Sequence, residues 1–273
     1  MIGGTAFVVA SLALTSCTAP GGTTVAQTTK VNYYPQCYQP VAQLHQQDEQ
    51  FAQTMAVNTA IGAAGGALAG GLISGNYKGA LVGALAGGFA AAASTYVQNL
   101  SQQYPDPEAR RGKIADDMGR DRGTMQRAVV AARQANSCYN AQFDQVVASV
   151  RRGAMPKDEA RLRFAEIEQG EHETAAILAE YGKKANDNVQ IYKSAVEQEA
   201  QAANVPPEEV TGSPATTTTT RAPSKTRKSA NTQKMADNYK GVNQQASEIN
   251  QEAASEQQTA DAHKKAAQDL TAT

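Results

Sequence analysis

The chain has 273 residues with no Trp, 5 Phe and 10 Tyr, and its apolar fraction leans on Ala; so few large side chains argue against a thick globular core. A net charge of −1 excludes bulk electrostatic capture of nucleic acid or an acidic membrane. The charge is unevenly spread: residues 49–105 carry only Glu49 and Lys78, whereas residues 106–200 are dense in both signs.

Residues 1–16 read as an export signal. The run AFVVASLALTSC has the length of a signal-peptide core and is too short for a bilayer, which takes about 20 residues. Its end, Leu14-Thr15-Ser16-Cys17, resembles the lipobox of bacterial lipoproteins. That resemblance implies cleavage before Cys17 and acylation of Cys17 (diacylglycerol, palmitate). Thr18 stands where an Asp would favour the inner membrane, so the resemblance implies an outer-membrane lipoprotein of the cell envelope facing the periplasm. MIGGTAFVV lacks the Lys or Arg of a signal n-region, so translation is expected to start upstream of Met1. Removing Cys17 leaves Cys37 and Cys138, an even pair in an oxidising compartment. A disulfide between them is expected, with two free buried thiols as the alternative.

Residues 17–40 are polar and punctuated by Pro and Gly, and predict a flexible tether. From Val41 the residues Val41, Leu44, Phe51, Met55 and Ala56 recur at helical spacing. Glycines then line up every fourth position: Gly62, Gly66 and Gly70, and again Gly75, Gly79, Gly83 and Gly87. Each row gives a helix a face without side chains, against which a second backbone packs closely. Each Gly costs about 0.5–1 kcal/mol of helix stability, so close packing has to compensate. SGNYKG reads as the turn, with Lys78 at its exposed tip. The prediction is a helical hairpin over 41–104, with helices about 41–74 and 79–103 running antiparallel. GAAGGALAGG and GALVGALAGG resemble the glycine-zipper domains of bacterial envelope lipoproteins, the group of the rickettsial surface antigen and SlyB-like proteins. The resemblance covers the lipobox and residues 58–100 and speaks to architecture. The hairpin's place is left open: inserted in the membrane, packed on itself, or packed on further copies.

Asp106-Pro107-Glu108 reads as a helix start: an N-cap, a first-turn Pro and an acid at the positive end. Ile114, Met118, Met125, Val129, Ala132, Tyr139, Phe143, Val146 and Val150 form an alternating four/three seam with polar gaps at Arg122 and Asn136. Gly153 and Pro156 break it. The next seam is Ala160, Phe164, Ile167, Thr174, Leu178, Tyr181, Ala185, Tyr192 and Ala195, interrupted at Glu171 and Asn188. Residues 106–205 are therefore predicted as a long antiparallel helical hairpin, its flanking charges a solvated face. Residues 206–230 read as a disordered linker, and 231–273 as a marginal polar helix or tail. The fold class predicted is all-α.

No catalytic or metal constellation is legible. His45, His172 and His263 are isolated, Asp116-Asp117 and Asp158-Glu159 point to different faces, and the glycine stretch lacks the Lys-Ser/Thr ending of a phosphate loop. The sequence thus points to a non-enzymatic, lipid-anchored structural or scaffolding protein without cofactor. Its partners would be membrane lipid through acylated Cys17, further copies of itself, and a periplasmic or envelope protein. The alternatives are an oligomeric pore or a component of a secretion or conjugation apparatus, and an exported binding or inhibitory module.

Overall fold

The longest helices begin and end where local chemistry requires it. The structure, a computed structural model, describes residues 25–60, 88–212 and 229–272. Asp106 caps α3, Pro107–Arg151, accepting from the N–H groups of Glu108 and Ala109. Gly153, at φ +68°, ends it. Gly153 N–H donates to the Val150 carbonyl and Ala154 N–H to that of Ser149, both at 2.9 Å, the paired bonds of a Schellman motif. Pro156 then precedes α4, Lys157–Ala202. Asn204, with φ 56°, closes α4 in the same way, and Val205 N–H reaches the Ala200 carbonyl at 2.9 Å.

α3 and α4 pair antiparallel: Arg110 meets Glu199, Asp121 meets Tyr192, and Phe143 meets Phe164. Every α4 seam residue foreseen is buried, Glu171 and Asn188 included. In α3 the polar gap falls on buried Asp121, and Arg122 is exposed. After the short α5, Pro207–Thr211, whose Val210 is fully buried, the chain returns as α6, Ala230–Thr271. Residues 207–211, expected to be part of a disordered linker, are thus a helical turn docked by one valine.

The C-terminal segment, expected to be a marginal helix or tail, is a 42-residue helix packed along α3 and α4. It runs parallel to α3 and antiparallel to α4. Asn231 Nδ2 donates to the Glu108 carbonyl at 2.9 Å and Asn238 Nδ2 to the Ala115 carbonyl at 2.7 Å. Arg161 at the other end of the bundle reaches the Thr271 carbonyl. Its seam is narrow, and glycines make up the difference. Asn231 and Asn238 lie over Gly112 and Gly119, Arg122 lies over Gly241, and Asn250 lies over Gly182. Each missing side chain on one helix is a seat for a polar side chain of the next, so the notches fix register as well as distance.

On the other side of the α3–α4 pair lie α1, Pro35–Ala60, and α2, Gly88–Gln103. Both run antiparallel to α3. Cys37 sits against Cys138 and Gln47 against Arg127, while Tyr96 bonds Asp117 although Gln103 is nearly contiguous with Pro107. α1 and α2 therefore run in the same direction, and their described portions do not form the expected antiparallel hairpin with each other. The segment carrying Gly62, Gly66, Gly70, Gly75, Gly79, Gly83 and Gly87 lies outside the described residues, as does Cys17. The all-α expectation holds: six helices and no strand among the described residues.

Candidate functional site

The polar structure of the α1 side is built on two α4 carboxylates one heptad apart. Residues 25–34, expected to belong to a flexible tether, lie extended along α4 before α1 begins at Pro35. Glu173 Oε2 accepts from Thr28 N–H at 2.8 Å, Thr29 N–H at 2.6 Å and the Thr28 hydroxyl at 3.0 Å. Its Oε1 accepts from the Tyr38 hydroxyl at 2.9 Å and lies 2.7 Å from His45 Nε2. Glu166 accepts from the N–H groups of Asn32, Tyr33 and Tyr34 at 3.0, 2.8 and 2.8 Å. Those N–H groups lead into the first turn of α1, so Glu166 acts as an anionic cap supplied by another helix. Burial pushes the Glu173 carboxyl up, but the donors from His45, Thr29 and Thr28 outweigh it and hold its pKa at about 2.

Further along the same groove, Lys184 Nζ bonds both oxygens of Asp48 at 2.9 and 2.8 Å, a buried pair joining α4 to α1. Burial raises the Asp48 carboxyl, with Lys184 pulling the other way. Phe51 stacks on Tyr181 with centroids 4.8 Å apart. Toward the far end, Asp121 accepts from Asn188 and from the Tyr192 hydroxyl, each at 2.7 Å, and burial raises its carboxyl against both donors. The Tyr96 hydroxyl donates to Asp117 at 2.8 Å, and Asp117 is also held by Lys113 and Arg120. Arg110 and Arg111 both reach Glu199. Glu166, Glu173, Asp48 and Asp117 thus seat the extended segment, α1 and α2, while Asp121 and Glu199 tie α3 to α4.

Of the predicted site residues, Cys37 and Cys138 are brought together as a disulfide, with Cα atoms 5.3 Å apart across a separation of 101 residues. Cys17 and the seven glycines fall outside the described residues. Of the three histidines read as isolated, His45 meets Glu173 and His263 meets Glu171, with His263 stacked 3.8 Å from the Phe143 ring. The charges flanking the α4 seam are expected on a solvated face, but two of them, Glu166 and Glu173, are buried under residues 25–34. Their heptad spacing was visible, but nothing in the sequence marked which chain segment would cover them. No group of three or more His, Cys, Asp and Glu side chains among the described residues is placed to hold a metal, and no described helix is long and apolar enough to cross a membrane. No protein-family model, curated protein or solved structure matches the chain.

Proposed function

We propose that the protein is a non-enzymatic, lipid-anchored structural protein of the bacterial cell envelope, held to the outer membrane through acylated Cys17. The observation that carries this reading is the Cys37–Cys138 disulfide, a bond favoured in oxidising compartments and so in agreement with the export signal and lipobox. The place where the chain enters and leaves the bundle adds to it. Val25 begins the extended segment on the α1 side of α4, and α1 and α2, which flank residues 61–87 in the chain, lie on the same side of the α3–α4 pair. On this reading the flank that carries the extended segment, α1 and α2 faces the bilayer, and the glycine rows serve as the expected zipper in or at the membrane. The opposite flank, formed by α6, is turned toward a periplasmic or envelope partner.

Blocking lipoprotein signal peptidase with globomycin tests the anchor. The expected result is a slower-migrating precursor, with the Cys17→Ser variant lost from the membrane fraction. Unchanged mobility together with a soluble wild-type chain would sink the reading. A second reading, an oligomeric assembly or pore component, is favoured by the fourfold glycine spacing alone. Crosslinking in mild detergent decides between them: a ladder abolished by Gly66→Leu and Gly83→Leu supports the assembly, and monomer only supports the anchor.

A further inference from the structure

The α6 seam begins as an ordinary apolar stripe. Met235, Tyr239, Val242, Ala246, Ile249 and Ala253 follow one another three and four residues apart, all buried. The next seam position is Glu256. Its side chain is fully buried, at 0 % exposure, and neither carboxyl oxygen has a hydrogen-bond partner. Ala260, His263 and Ala267 continue the seam to the end of the helix.

The surroundings of Glu256 hold no cation for it. From α3, the amide of Asn136 faces it, while Arg133 is taken up by Glu248 at 2.9 Å and Glu252 at 2.8 Å. From α4, Glu171 is 1 % exposed, with Oε1 bonded to His263 Nδ1 at 2.8 Å and Oε2 without a partner. The neighbouring His172 faces Gln257 and Glu168 on the outside of the bundle. From α6 itself come Glu252 and His263. On the α1 side, Glu173, Tyr38 and His45 are committed to one another. A charged carboxylate at position 256 would sit in a dry seam beside like charges, so the docked helix favours the neutral acid.

We propose that Glu256 is a proton-controlled lock on the C-terminal half of α6: with the carboxyl protonated the helix stays seated on α3 and α4, and loss of that proton frees residues 253–271 from the bundle. Burial, with Glu252 and Glu171 adding to it and Asn136 opposing, lifts the pKa from 4.5 to about 7. A raised acid stabilises the docked state fully below the unfolded value of 4.5, and that stabilisation is lost as pH rises to about 7. Opening of this segment is therefore expected to increase about tenfold per pH unit over that window, about 100-fold between pH 5 and pH 7. Glu173 titrates on the acid side of the window, and Asp48 and Asp121 belong to α1 and to the α3–α4 contact, so the α6 response is separable from theirs.

The test is amide hydrogen exchange on the full chain, read on peptides from residues 253–271 between pH 5 and pH 8 and corrected for intrinsic rates. Wild type is expected to lose protection there as pH rises, while Glu256→Gln, neutral at every pH, gives a flat profile. A flat wild-type profile, or a Glu256→Gln profile that still follows pH as wild type does, overturns the proposal. Carboxyl carbon NMR of wild type decides the matter if the variant does not fold. A Glu256 titration midpoint near 7 supports the lock, and one near 4.5 overturns it.

Discussion

The two sides of the α3–α4 pair are covered by different means. On one side α6 is a single uninterrupted helix, seated by a narrow apolar seam and by asparagines and an arginine dropped over glycines. On the other, the described cover consists of an extended segment, α1 and α2. It is held by buried carboxylates, a Lys–Asp pair and a disulfide. An unbroken helix gains one backbone hydrogen bond per residue, so modest side-chain contacts suffice to dock it. The extended segment has no such internal bonding, so its N–H groups, and those leading into α1, need the anionic acceptors that α4 supplies.

The largest effect should come from cutting that tie. The disulfide closes a loop of about 100 residues, for which the chain-entropy model gives roughly 4–5 kcal/mol. Cys37→Ser with Cys138→Ser should lower unfolding stability by that order in a urea titration. Hydrogen exchange should show α1 deprotected while α6 keeps its protection. Equal loss on both sides would mean that the two covers are not independent.

Next is Glu173→Gln, which weakens five contacts at once. Hydrogen bonds to a charged group contribute about 1.5–3 kcal/mol, so a loss of about 2–3 kcal/mol is expected at pH 7, confined to residues 25–45. The acid limb checks the sign. Glu173 has a depressed pKa, so its contribution is present above the unfolded value of 4.5 and is lost as pH falls toward about 2. Wild type should lose protection of residues 25–34 across that range, and the Gln variant should not. A variant with the same acid limb as wild type would assign the effect to other groups.

This contrast also explains what could be read from the sequence. The α3 and α4 seams were legible because heptad spacing is a local signal, and so were the Asp106 cap and the Gly153 stop. The α6 helix is understated by its apolar residues because it also docks through its own Asn231, Asn238 and Asn250, seated over Gly112, Gly119 and Gly182 of the partner helices, and through Arg122 of α3 over its Gly241. Residues 25–34 escape for the complementary reason: VAQTTKVNYY carries no helical periodicity, and its order comes from Glu166 and Glu173 more than 130 residues away. The disulfide pairing could be expected from cysteine arithmetic and compartment. The packing of Phe143 on His263 or of Glu256 on Asn136 required the third helix.

A third change acts on the shared pair and should move both covers together. A Cβ at Gly170 would overlap the buried Tyr139 ring, which lies across that glycine. Gly170→Ala is expected to cost about 1–3 kcal/mol by overpacking, with α1 and α6 losing protection alike. The variant Gly170→Ala with Tyr139→Leu should recover part of the loss, because the shorter side chain vacates the space. No recovery would place the cost elsewhere than in this overlap.

The smallest effects separate the notches of the α6 side from its surface charges. Asn238→Ala removes a hydrogen bond from a half-buried amide to the Ala115 carbonyl and empties the seat over Gly119, so a loss of about 1 kcal/mol is expected. Arg133 bridges Glu248 and Glu252 across the same α3–α6 interface, but it is 54 % exposed, and pairs of that kind contribute about 0.2–1 kcal/mol, screened by salt. Arg133→Ala should therefore lower the urea midpoint less than Asn238→Ala, and the Arg133 effect alone should shrink in 1 M salt. If Arg133→Ala proved the more damaging at low salt and that excess vanished in 1 M salt, charge pairing rather than the glycine–asparagine notches would be what seats α6. The two covers would then be held by the same kind of force.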